Sequence, residues 1–155
     1  MDALPWSSLV KLQQKRDASG DAQNLARALL RAKEQRYDVV VFSRDRDGAK
    51  NRSRQVEIDA IVTESSSTSE SVKVVGAVAV ETLEAWVLAA AGDQKCESYT
   101  DPARELTDRF NVPSKDTCAM VALVEAADLS AAAARSESLQ RWIGSARRVF
   151  APATA

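Results

Sequence analysis

Apolar residues along this chain recur in two alternating patterns. From Asn24 to Glu34, Leu25, Leu29 and Leu30 fall at helical spacing among Ala, Arg and Lys, and Gly20-Asp21 supplies a start signal, so a helix is expected there. The run Asp38 to Phe42 follows, with three consecutive valines; its shortness and β-branching predict a strand buried on both faces. Between Ser53 and Glu64 the positions of Val56, Ile58, Ala60, Ile61 and Val62 suit a helix, because Glu57 and Asp59 interrupt them less regularly than strand alternation requires. Ser65-Ser66-Ser67-Thr68-Ser69-Glu70-Ser71 has no packing capacity and is expected to be a solvated loop. Val72 to Val80 alternates and then runs apolar, which predicts a second buried strand. Glu81-Thr82-Leu83-Glu84-Ala85-Trp86-Val87-Leu88 turns that strand into a helix whose first turn carries two acids, an arrangement the helix dipole favours.

Helix, strand, helix, strand, helix is the order of an α/β domain with a mostly parallel sheet flanked by helices. Beyond Gly92 the pattern becomes helical. Asp101-Pro102-Ala103-Arg104 reads as a capped start with proline at the first helical position, and Val112-Pro113 ends that helix. Further helices are expected over Lys115 to Glu125, Leu129 to Arg135 and Ser138 to Val149, with Trp142 as a core anchor and Ala151 to Ala155 frayed. A length of 155 residues is most economically one domain, of which 93–155 form a helical C-terminal extension.

Composition narrows the chemistry. Lys and Arg number 21 against 22 Asp and Glu, so phosphate binding has to be local. The longest apolar stretches, such as Ala85 to Ala91, fall far short of the roughly 20 residues that span a bilayer. The start Met1-Asp2-Ala3-Leu4-Pro5 lacks the basic and apolar regions of a signal peptide. Cys96 and Cys118 are widely separated, and with no export signal they read as reduced thiols of a cytoplasmic protein. There is no histidine, which excludes His-dependent triads, His-built zinc sites and His general bases. Any chemistry falls to carboxylates and a hard cation, Mg²⁺ or Mn²⁺.

The first valine-rich run ends in Ser43-Arg44-Asp45-Arg46-Asp47-Gly48. In an extended strand Asp45 and Asp47 point one way and Arg44 and Arg46 the other, with the two carboxylates roughly 6.5 to 7 Å apart. A cation with its waters bridges such a gap; the bland alternative is a polar strand end whose aspartates cap a helix. If the two strands are parallel neighbours, Asp45, Asp47, Glu81 and Glu84 crowd the carboxyl edge of the sheet, where α/β folds hold ligands. Lys50, Arg52 and Arg54 supply local positive charge suited to phosphate contacts, or a solvated surface. Arg44 and Arg46 offer a further alternative, tethering the carboxylates in structural ion pairs.

The Asp45-Arg46-Asp47 strand end, the helix and strand after it, and Glu81-x-x-Glu84-Ala85-Trp86 resemble the TOPRIM-like fold, in particular a family of small uncharacterised bacterial proteins of that kind. Lys115 and Arg135-Ser136-Glu137-Ser138-Leu139 look like that family's later features, so the resemblance covers most of the chain. It implies Asp45 and Asp47 as Mg²⁺ ligands, a site role for Glu81 and Glu84, and Trp86 as the packing residue that seats the helix on the sheet. It also implies action on nucleic-acid phosphodiesters in a bacterial defence or mobile-element setting.

TOPRIM domains carry an early catalytic glutamate, and Met1 to Gln23 contains none. Either a first strand is encoded upstream or the full site never existed, and a missing strand would leave a sheet edge for a partner protein or a second copy. A Mg²⁺-dependent nuclease is therefore the first expectation. A non-catalytic interaction module of the same fold is the alternative. A small-molecule phosphate binder is the weakest, since Gly48 stands alone without a glycine-rich loop.

Overall fold

The computed structural model describes residues 20–46, 53–68, 72–113 and 115–151. Within them the order is α1 (Gly20–Glu34), β1 (Val39–Asp45), α2 (Ser53–Thr68), β2 (Lys73–Ala79), α3 (Glu84–Ala90), α4 (Pro102–Phe110), α5 (Thr117–Glu125), α6 (Leu129–Arg135) and α7 (Glu137–Phe150). The expected α/β class and the helical C-terminal part are present.

β1 and β2 pair in parallel, in register from Val39 opposite Lys73 to Asp45 opposite Ala79. β1 runs beyond the apolar stretch because Ser43, Arg44 and Asp45 continue the ladder against Ala77, Val78 and Ala79. Six of the seven residues of β2 are buried, as expected of a strand covered by helices; α2 and α7 both pack on it. Leu25 of α1 and Ile58 of α2 close one core over Phe42, Val74 and Val78. Gly76 permits this closeness: a Cβ there would lie 2.6 Å from Val62 Cγ2. The expectation that β1 is buried on both faces fails: Phe42 is its one buried residue and Val41 is 45% exposed, because the helices pack mainly on β2.

Other expectations fail as well. α2 continues through Thr68, so Ser65 to Thr68 belong to its last turn instead of a loop; serine lies only modestly below good helix formers, and a helix already nucleated upstream carries such residues. Ser69 to Ser71 lie outside the described residues. α3 begins at Glu84, because Glu81 takes a left-handed backbone (φ 62°), which no helix continues through. Glu81 and Glu84 are thus not one helical turn apart on a common face.

The C-terminal helices start where short polar side chains cap them. Asp101 accepts from Arg104 N–H, Asp116 from Ala119 N–H, Asp128 from Ser130 and Ala131 N–H, and Ser136 from Leu139 N–H. Each such cap is worth about 1 kcal/mol, which explains why α5 begins after Asp116 and not at Lys115. Asn111 ends α4 in the left-handed conformation (φ 54°). These helices form a second core of Val87, Leu88, Cys96, Leu106, Ala132 and Leu139. Trp86 packs against this core and tilts onto half-buried Trp142, with ring centroids 6.0 Å apart, so it ties α3 to α7. No single helix among the described residues is long and apolar enough to cross a membrane.

Candidate functional site

Parallel pairing carries the ends of β1 and β2 to the same edge, and a short loop, residues 80–83, then leads into α3. Arg46 N–H donates to the Ala79 carbonyl at 3.0 Å, extending the ladder one residue beyond β1. Asp45 Oδ1 accepts from Leu83 N–H at 2.8 Å, so this aspartate fastens the loop at the entrance to α3. The Arg46 guanidinium pairs with Glu81, both side chains being largely buried. Asp45 and Glu81, from different strand ends, are held to one loop.

A third acid joins them from α1. Asp21 is buried and forms ion pairs with Arg44 (Nε–Oδ1 3.0 Å) and Arg54 (Nε–Oδ2 3.2 Å). Arg54 also donates through Nη1 to the Asp45 carbonyl at 2.8 Å. Asp21, Asp45 and Glu81 are therefore interleaved with Arg44, Arg46 and Arg54, three charges of each sign. Sequence reasoning read Asp21 only as part of a helix start, because nothing local signals a carboxylate that meets arginines more than twenty residues away. Arg54, expected at a phosphate, faces Asp21 and the end of β1. Arg44 and Arg46 do tether carboxylates, those of Asp21 and Glu81. Glu84 is half-buried in the first turn of α3, where the dipole favours it. Asp47, Lys50 and Arg52 lie outside the described residues.

Two features of the loop are unusual. Glu81 is a non-glycine residue at positive φ, a conformation costing on the order of 1–3 kcal/mol that persists only where its surroundings over-determine it. The Thr82 hydroxyl oxygen is buried without a hydrogen-bond partner among the described residues. Arg31 Nε, Arg46 Nε and Trp142 Nε1 share this condition, and a water, an ion or a residue outside those described satisfies such an atom. Asp, Glu and hydroxyl oxygens are the hard donors that Mg²⁺ and Mn²⁺ take. Among the described residues alone, no three Asp, Glu or Cys side chains are grouped closely enough to hold a metal ion.

Away from the strand ends, buried Asp93 accepts from Tyr99 Oη at 3.2 Å, from Lys95 N–H at 2.6 Å and from Arg109, whose guanidinium lies over the Tyr99 and Phe110 rings. This cluster braces the loop between α3 and α4. Cys96, in the same loop, donates to the Arg135 carbonyl at 3.4 Å. Burial, aided by the Glu97 charge, pushes its thiol up to about 11. Cys118 is exposed. Iodoacetamide at pH 8 is expected to label Cys118 in the folded protein and to leave Cys96 unmodified, at least about 100-fold slower than an ordinary thiol of pKa near 8.5. Peptide mapping checks this, and equal labelling of the two would refute the buried placement of Cys96.

Comparison with protein-family models, with curated proteins and with solved structures finds no match to this chain.

Proposed function

We propose that the chain is a TOPRIM-like domain that binds Mg²⁺ or Mn²⁺ at the carboxyl edge of its parallel sheet and acts on nucleic-acid phosphodiesters. The observation that carries this reading is the meeting of Asp45 and Glu81 on one loop at the ends of two neighbouring parallel strands. Asp45 and Asp47 would hold the cation, with Glu81 or Glu84 on its outer side. The Thr82 hydroxyl, unpartnered among the described residues, suits a metal-bound water or a phosphate oxygen. When bound, the cation would polarise a phosphoryl oxygen and offset charge developing on it. Arg46 holds the Glu81 carboxylate in place, and Arg44 and Arg54 pair with Asp21 behind the strand end. Lys50 and Arg52 would supply the phosphate contacts.

A second reading is supported by the same ion pairs. Among the described residues Asp21 and Glu81 are already paired with Arg44, Arg54 and Arg46, which would hold these acids without metal, and the chain would then serve as an interaction module. The exposed Val41 on β1 supports a partner protein or a second copy at that side of the sheet. Calorimetric titration of the whole chain with Mn²⁺ and Mg²⁺ separates the two. The metal reading expects saturable binding that disappears in an Asp45→Ala, Asp47→Ala double variant; identical heats from the two proteins would leave the interaction module standing.

A further inference from the structure

The Ser136-Glu137-Ser138 segment lies more than fifty residues beyond Glu81, yet it reaches the loop that carries Glu81. Ser138 is fully buried. Its hydroxyl accepts from Trp86 Nε1 at 2.7 Å and, by a longer contact, from Val80 N–H at 3.4 Å, and it donates to Glu97 Oε1. A serine hydroxyl has one donor and two acceptor positions, so its whole capacity is used. Val80 immediately precedes Glu81, and Trp86 follows Glu84 by two residues. One oxygen therefore grips the chain on both sides of the acidic loop.

Glu97 fixes the direction of that hydroxyl. Besides Ser138 Oγ, its carboxylate accepts from Ser136 Oγ at 2.7 Å, Ser138 N–H at 2.9 Å and Glu137 N–H at 3.2 Å, at the amino end of the fourteen-residue α7, where the dipole favours an anion. Burial raises the Glu97 carboxyl, but the hydrogen bonds from Ser138, Ser136 and the backbone outweigh it and hold the group below its ordinary value. An ionised carboxylate only accepts, so Ser138 has to donate toward Glu97, which leaves its lone pairs for Val80 and Trp86.

We infer that Ser138 and Glu97 are positioning residues: through Val80 N–H and Trp86 Nε1 they clamp the 80–83 loop and hold Glu81 in its left-handed conformation against the sheet edge. The loop is thus gripped from two sides, by Asp45 and Arg46 at the end of β1 and by α7 from the other part of the molecule. The functional weight of this clamp rests on the reading of Glu81 as a site residue; its existence does not.

Residue-resolved amide hydrogen exchange on the whole chain tests it. Ser138→Ala is expected to speed exchange at Glu81, Thr82 and Leu83 by about tenfold relative to Val75 in β2, the effect of losing about one hydrogen bond from a local opening. Glu97→Gln keeps the side-chain shape but loses an acceptor oxygen, and it should reproduce the rise with less disturbance of folding. Ser145→Ala, a buried serine two turns further along α7, should leave the loop unchanged relative to Val75. Unaltered loop exchange in both Ser138→Ala and Glu97→Gln, or an equal rise in Ser145→Ala, overturns the inference. Mn²⁺ titration of the same proteins supplies the readout that a merely structural role would not move. Affinity weakened in Ser138→Ala and Glu97→Gln but not in Ser145→Ala ties the clamp to the site. No binding by the unmodified chain refutes the cation reading, while the exchange result still decides the clamp.

Discussion

Asp21→Asn is expected to lower the stability of the folded chain by about 2–3 kcal/mol, between the 3–5 of a broken buried ion pair and the 0–1 of an exposed one. The intermediate value follows from the partners' exposure: the Asp21 side chain is 11% exposed, those of Arg44 and Arg54 30% and 22%. Asparagine keeps the shape and one acceptor oxygen but removes the charge that two guanidinium groups share. Neither arginine can leave easily, since Arg44 belongs to β1 and Arg54 is held to the Asp45 carbonyl. Urea denaturation monitored by circular dichroism measures the change. Combining Asp21→Asn with Arg44→Gln should cost less than the sum of the single losses, because residues sharing one network are not additive. A single-variant loss under about 0.5 kcal/mol would show that water solvates both arginines and that the charged cluster contributes little to the fold.

The position of this cluster explains what was legible in the sequence. Both strands could be read, because β-branched apolar runs bounded by polar segments carry their own signal, and parallel pairing follows from the helix between them. The edge on which Asp45 and Glu81 meet follows in turn from parallel pairing. The helix caps at Asp101, Asp116 and Asp128 are equally local, although only the first was read as one. What escaped was every contact set by tertiary placement. Nothing near Glu81 announces positive φ; the Glu-x-x-Glu spacing is what a helical first turn would also show, and the backbone departs from it because Asp45, Arg46 and Ser138 fasten the loop. Asp21 resembles an ordinary first-turn acid, which it also is. Ser65 to Thr68 depart from the loop expectation for the opposite reason, their local composition being overridden by a helix that has already started.

The clamp at Ser138 bears on how the two cores depend on each other, and Leu88→Ala is the variant that shows it. Leu88 is fully buried on α3 within the helical core, so truncation is expected to cost about 2–5 kcal/mol from lost transfer energy and a residual cavity. Leu88 belongs to the core against which Trp86 packs, and Trp86 meets Trp142 in turn, whereas Leu25, Phe42 and Ile58 belong to the separate sheet core. If the helical part were a separate unit, the variant would shift tryptophan fluorescence to lower urea and leave the helical signal of α1 and α2 behind. α7 packs on β2 as well as on α6, and its first turn holds both Val80 and Trp86. The expected result is therefore one transition, displaced together in fluorescence and circular dichroism, with the slope unchanged. Two separated transitions would instead divide the chain at the 80–83 loop, and the acidic site would then stand at a hinge between two bodies.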